Sequence, residues 1–201
     1  MSKVQICNRG LSTYLGEGRI NSFTEDTPAA VQCSLHYDDT LQVLIQSHHW
    51  IFAKGRKVLA QLTNDRPDEW AYKYAVPSDA QVIQWVNDAA SAAMLSAQNT
   101  DPTAPYEPFG QFIYTNAATA SCEYTQLVTD TTLFPAHFKK ALSAAIAGNV
   151  AMPITEDTKR AQFAMQQASE ALDEAICIDE NQSPPKLHST VPSWMSDRGI
   201  S

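Results

Sequence analysis

The sequence predicts an α+β protein in which helices near both ends of the chain flank a β-rich middle. Apolar residues recur at helical spacing before residue 49 and again after residue 134. Short segments rich in β-branched and aromatic residues fill the region between them, and polar, proline-containing sequence follows residue 178. We therefore predict an antiparallel helical bundle from residues 1–49 and 134–178, an inserted β-rich domain over 50–133, and an extended C-terminal tail over 179–201.

Two helices are predicted at the N-terminal end. The first covers 4–15, because the apolar residues of this segment share one helical face and Gly16 is a typical stop. The second begins at Pro28, since proline suits the first position of a helix. Its apolar face extends to about Gln46.

Five segments of the centre have the composition of strands. They are 57–63, 69–76, 81–86, 110–115 and 122–129. Turn-forming residues at 64–68 separate the first two segments, so we expect a hairpin there. Residues 99–108 contain three prolines and are predicted to form a loop, whereas 89–97 favours at least one helical turn.

Two further helices are predicted in the C-terminal third. One starts near Pro135, and Gly148-Asn149 is a typical signal for its end. The last helix is expected to begin after Pro153 with Thr155 as its N-cap. A stripe of alanines and larger apolar residues follows along it, which predicts close packing against another helix.

The predicted tail is too polar to build a core, yet it carries apolar side chains that are unfavourable to leave in water. We expect a docking arm that becomes ordered when it binds a partner or a neighbouring subunit. A disordered extension is the alternative. The anchors of the arm are Leu187, Val191, Trp194 and Met195.

Composition limits the classes of function. With 201 residues and 44% hydrophobic content, the chain can bury a core without metal ions or disulfides. The formal net charge is −8 and the densest basic cluster is Lys54, Arg56 and Lys57, which disfavours tight binding to DNA. The cysteines are widely spaced and no apolar run is long enough to cross a bilayer. We therefore expect free, buried thiols, including Cys177, a reducing cytoplasm and no membrane partner.

Candidate catalytic and metal-binding residues are weakly marked. His48 and His49 are adjacent, so their side chains diverge, and no cysteine or carboxylate lies at ligand spacing. We expect a helix C-terminus there, where an imidazole faces the helix dipole. Carboxylates that could act on a glycan have no marked apolar setting; they are Glu17, Asp38, Asp39, Asp68, Glu69 and Asp79. We predict no catalytic residue, no metal and no cofactor.

Aromatic residues concentrate in two segments of the centre. Trp70, Tyr72 and Tyr74 alternate, which predicts that they share one face of a strand. We call these three residues, together with Trp50 and Phe52, the aromatic wall. Such rings can stack on bases, but little positive charge is interleaved with them. Packing in a core or a subunit interface is therefore favoured.

Short motifs follow one another in a fixed order along nearly the whole chain. They are C-N-R-G-L at 7–11, L-G-E at 15–17, H-W-I-F-A at 49–53 with Arg56, W-x-Y-x-Y-x-x-P-x-D at 70–79, and the stretch from Thr129-Asp130 through Phe138 and Ala141-Leu142 to Ile154-Thr155. In order and spacing they resemble the tail tubular protein A family, the head-to-tail adaptors of short-tailed bacteriophages. The family pattern H-P-W-x-F-A-x-x-R has a proline that this chain lacks.

The resemblance implies a structural protein without catalytic residues. Members of the family form a ring of twelve subunits that joins the portal to the tail nozzle, tail tubular protein B, and helps to anchor tail fibres. DNA passes through the channel of the ring without tight binding. The resemblance also implies a place in the virion tail after assembly in the host cytoplasm. It makes the portal or a neighbouring subunit the expected target of the docking arm.

Two other functions stay open from the residues alone. A tail-associated glycan hydrolase would use a pair of the carboxylates named above, and glycan turnover by the purified chain would favour it. A DNA-binding assembly factor would bind DNA with a steep salt dependence, which the acidic balance of the chain disfavours.

Overall fold

The computed structural model describes residues 1–88 and 103–182. It has the predicted α+β class, with helices and two antiparallel sheets. The chain divides into two compact units. The first unit contains Met1–Arg56, Ser78–Gln84 and Glu123–Gln182, and the second contains Lys57–Pro77 and the described part of Trp85–Cys122.

The helices of the first unit are α1 (Lys3–Gly10), α2 (Pro28–Ser47), α3 (Ala136–Thr155) and α4 (Thr158–Gln182). A π-helical turn, Leu11–Leu15, continues α1 and ends at Gly16, whose φ of 68° is favourable for glycine. The two predicted N-terminal helices are therefore confirmed. Ser2 and Gln5 form a capping box at the start of α1, and the Thr27 side chain caps α2.

Helix α3 is the centre of the first unit, because α1, α2 and α4 all pack against it. Ten of its residues are buried, including Phe138, Leu142 and Ile146. The approach of α1 is close: a Cβ added at Gly10 would lie 2.5 Å from the carbonyl oxygen of Ser143. Only glycine fits at this crossing.

The predicted end of α3 at Gly148-Asn149 is wrong. The helix continues through Pro153 to Thr155, and Glu156 then takes a left-handed conformation with φ of 51°. Helix–helix packing outweighs these local stop signals, because Gly148, Val150 and Ala151 are buried. The predicted N-cap is also wrong: an Asp157 carboxylate oxygen accepts the backbone N–H of Lys159 at 2.8 Å, at the start of α4.

The strands form two sheets. One sheet has the order β1-β7-β4, with β1 at Lys54–Val58, β4 at Ala80–Asp88 and β7 at Ala120–Gln126. The other has the order β2-β3-β6-β5, with β2 at Gln61–Leu62, β3 at Tyr72–Ala75, β5 at Tyr106–Phe109 and β6 at Phe112–Thr115. In the second sheet Tyr74 pairs with Ile113 across β3 and β6, which fixes the register of those two strands.

Three strand predictions need correction. The segment 57–63 is divided between β1 and β2 rather than forming one strand. Strand β3 begins at Tyr72, so Trp70 precedes it. The predicted loop 99–108 overlaps β5, which accommodates Pro108 because β5 is an edge strand and needs no N–H on its outer side. The helical turn predicted for 89–97 lies outside the described residues.

The start of the tail also shifts. Helix α4 continues to Gln182, so residues 179–182 are helical rather than extended. The remainder of the predicted tail, 183–201, lies outside the described residues. The predicted anchors Leu187, Val191, Trp194 and Met195 therefore remain predictions.

Candidate functional site

Two distant motifs meet in an aromatic cluster of the first unit. Trp50 is fully buried, and its indole N–H donates a hydrogen bond to the Leu44 carbonyl at 2.8 Å. Its ring centroid lies 5.0 Å from that of Phe138, in an edge-on arrangement, and Phe52 lies 4.7 Å from the same ring. The H-W-I-F-A segment and the first turn of α3 thus share one core, which Phe134 completes.

Asp179 connects the end of α4 to this cluster. Asp179 is 2% exposed, and one of its carboxylate oxygens accepts a hydrogen bond from the backbone N–H of Ile51 at 3.1 Å. The Nε2 atom of His48 lies 3.4 Å from that oxygen, and Nε2 of His137 lies 3.5 Å from the other. Both imidazoles pack against the Trp50 ring. A buried carboxylate therefore joins three separate parts of the chain.

His49 has different partners from His48. Its Nδ1 is 3.1 Å from the Thr125 hydroxyl and its Nε2 is 3.2 Å from a Glu123 carboxylate oxygen. Burial lowers the pKa of His49, although the hydrogen bond with Glu123 acts in the opposite direction. The adjacent histidines diverge as expected. His48 is the C-cap of α2, and its imidazole meets Asp179 and Trp50.

The described histidines do not gather into a metal site. Among residues 1–88 and 103–182, no group of three or more histidine, cysteine or carboxylate side chains could hold a metal ion. The contacts around Asp179 connect packed elements, so their evident role is to hold the end of α4 in place.

The aromatic residues of the second unit form a separate cluster. Tyr74 is 2% exposed, its hydroxyl donates to the Ala117 carbonyl at 2.8 Å, and burial raises its pKa. Its ring centroid lies 6.4 Å from that of Tyr72. Trp70 is half-buried and donates its indole N–H to Glu107 at 3.1 Å.

The aromatic wall therefore requires correction. Trp50 and Phe52 pack in the core of the first unit, whereas Trp70, Tyr72 and Tyr74 belong to the second. Alternation along the sequence correctly placed Tyr72 and Tyr74 on one face of β3. It could not reveal which cluster each tryptophan joins.

Positive charge near the second cluster is already engaged. The Lys73 ammonium lies 2.9 Å from an Asp65 carboxylate oxygen and 4.0 Å from the centroid of the Phe112 ring. The same Asp65 oxygen accepts the Tyr114 hydroxyl at 2.9 Å. The hydrogen bond from Lys73 is the main reason that the pKa of Asp65 is lowered. Arg66 lies 4.5 Å from the Phe109 ring. These contacts leave Lys73 and Arg66 in structural roles.

The candidate carboxylates are engaged in local structure rather than gathered into a visible acid–base pair. Asp38 pairs with Lys3 at 2.9 Å, and Asp79 accepts the Tyr124 hydroxyl at 3.0 Å. Glu17 lies 4.0 Å from Arg160, and Glu69 lies 3.7 Å from Arg66. Asp39 is exposed on α2 and Asp68 lies in the turn before β3.

The cysteines are free thiols, and Cys7, Cys33 and Cys122 are buried. A hydrogen bond between the Cys7 and Cys33 thiols raises the pKa of Cys7 and lowers that of Cys33. The expectation that Cys177 would also be buried is wrong, because it lies on the exposed side of α4.

Sequence reasoning missed Asp179 and His137. The predicted tail includes Asp179, although this residue follows Ala171 and Ala175 at intervals of four residues. That spacing extends the buried stripe of α4 by one turn. His137 carries no such signal, since its partner is far away in the sequence.

Comparisons with family models and with curated proteins find no match to this chain. No helix in the described part of the chain is long and apolar enough to cross a membrane.

Proposed function

We propose that this chain is a structural virion protein, a ring-forming adaptor that joins the portal of a short-tailed bacteriophage to its tail nozzle. In this proposal the ring has about twelve copies, as the resemblance implies, and supports the attachment of tail fibres. DNA passes through its channel without tight binding. The protein assembles in the host cytoplasm and functions in the virion tail.

One observation carries the proposal: the residues of the resemblance are structural in this chain. Trp50 and Phe52 come from one motif and Phe138 from another, and their rings pack together at 4.7–6.3 Å. Gly10, from the first motif, permits the close crossing of α1 and α3. Motif residues that build a core agree with a family whose members act through assembly rather than catalysis.

The proposed architecture follows the same resemblance. We propose that residues 1–49 and the helices from 134 onward form an antiparallel bundle, with the β-rich part inserted between them. Residues beyond Gln182 would form the docking arm, with Leu187, Val191, Trp194 and Met195 as its anchors on the portal or a neighbouring subunit. The formal net charge of −8 supports a channel that repels DNA wherever the acidic residues face it.

Light scattering coupled to size-exclusion chromatography tests the proposal. The purified chain is measured alone and after mixing with the portal protein of the same phage. We expect a large complex that contains many copies of both proteins. A chain truncated after Gln182 should retain its circular dichroism spectrum and attach more weakly. Two proteins that elute separately at micromolar concentrations would contradict an adaptor that binds the portal directly.

A further inference from the structure

An apolar groove crosses the surface of the first unit. Helices α2 and α4 both pack on α3, and a groove of about 470 Å³ opens among the three helices. Its lining includes Val43 on α2, Gly148 on α3, and Met165, Ala168 and Leu172 on α4. Val43 is 66% exposed and Met165 is 56% exposed, so large apolar side chains face solvent here. Apolar side chains that are exposed together in a groove are a feature of surfaces that bind a partner.

We propose that this groove binds the C-terminal segment of the same chain, through Leu187, Val191, Trp194 and Met195. The inference goes beyond the proposed function and does not depend on it. In the free subunit the docking arm would lie in its own groove. A partner that binds the arm would then have to displace it.

The length of the chain beyond α4 fits this occupant. Leu172 and Met165 lie ten and seventeen residues before Gln182, which corresponds to ~15 Å and ~26 Å along a helix. Leu187 and Trp194 lie five and twelve residues after Gln182, and extended chain of that length spans up to ~17 Å and ~40 Å. A segment that turns back along α4 can therefore place Leu187 near Leu172 and Trp194 near Met165.

Chemistry favours the same occupant. The segment supplies one aromatic and three aliphatic anchors, and a groove of about 470 Å³ has the size of sites that hold such groups. The segment has two basic residues, Lys186 and Arg198, against one acidic residue. The exposed Asp39 lines the groove, and the exposed Asp173 directly follows Leu172 in the sequence. Because the segment is tethered, its effective concentration at the groove is high without a second copy.

Photo-crosslinking of the full-length chain tests this inference. Ser189 and Ser193 are replaced one at a time by p-benzoylphenylalanine, which leaves all four anchors intact. After irradiation at low micromolar concentration, mass spectrometry identifies the crosslinked peptides. We expect crosslinks within a single chain to the peptides containing His36–Leu44, Ala145–Asn149 or Met165–Leu172. The probe at position 193 should crosslink nearer to Met165 than the probe at position 189 does.

A matched pair of variants supplies the control. Val43→Asp places a charge in the groove and should lower the crosslinking yield about fivefold or more, since it removes apolar contact with the anchors. Val58→Asp changes an equally exposed valine outside the groove, 69% exposed, and should leave the yield unchanged. Crosslinks to the groove of a second chain, to another surface, or to nothing would each overturn the inference. None of these results would bear on binding to the portal.

Discussion

Replacing Asp179 with alanine should destabilise the protein far more than its position near the end of a helix suggests. The substitution removes the acceptor of the Ile51 N–H and the carboxylate that contacts His48 and His137. The lost acceptor alone leaves a backbone N–H without its partner, at a cost of about 1–3 kcal/mol. Removing one member of a buried ion pair typically costs about 3–5 kcal/mol.

The geometry places the expected loss at the lower end of the second range. The contacts with the imidazoles are long, at 3.4 and 3.5 Å, and they are ion pairs only when the histidines are protonated. We therefore expect the free energy of unfolding to fall by about 3 kcal/mol in Asp179→Ala. Asp179→Asn keeps an oxygen that can accept the Ile51 N–H, so it should lose less.

Urea unfolding followed by circular dichroism measures this difference. Asp173→Ala is the matched control, because Asp173 is an exposed carboxylate on the same helix. The control should change stability by no more than about 0.5 kcal/mol. If Asp179→Ala and Asp173→Ala had equal midpoints and slopes, the buried cluster would not hold the end of α4, and the reasoning from its contacts would fail.

Three further predictions concern the folded core. In Gly10→Ala the free energy of unfolding, measured in urea, should fall by about 1–3 kcal/mol, because the added Cβ would meet the Ser143 carbonyl oxygen. Gly18→Ala adds a Cβ in open space and should be nearly neutral. Equal stability of the two variants would contradict the close crossing of α1 and α3. In Trp50→Ala the free energy of unfolding should fall by about 3–5 kcal/mol, because the substitution removes a large, fully buried side chain. An unchanged melting temperature would contradict the burial of Trp50. The lowered folded-state pKa of His49 means that the unfolded chain binds its proton more readily. The contribution of His49 to the free energy of unfolding is therefore complete above about pH 6.5, and it is lost as the pH falls through the pKa of His49 in the folded protein. His49→Asn should flatten the acid side of the stability curve, and an unaltered curve would contradict the shift.

Local patterns in the sequence predicted the helices best where signals and packing agree. Pro28 and the apolar face that follows it located α2 to within one residue at its end. The boundary between α3 and α4 differs from the prediction because Gly148 and Pro153 are stop signals in isolation. Burial of α3 on several sides stabilises the helix through both residues.

Features that depend on distant partners could not be predicted from sequence. Asp179 and Ile51 are 128 residues apart, and only the fold brings the carboxylate to that N–H. The two tryptophans, Trp50 and Trp70, are a second example. The sequence shows that both are aromatic, but it does not show that they join different clusters. The groove among α2, α3 and α4 arises from the packing of three helices, so no single motif indicates it.

The adaptor proposal is tested most directly by electron cryomicroscopy of the complex between this chain and the portal protein. We expect a closed ring of copies on the portal, about twelve in number, with the described fold in each copy and a central channel wide enough for duplex DNA. A reconstruction in which single copies decorate the portal without contacting one another would contradict the central claim.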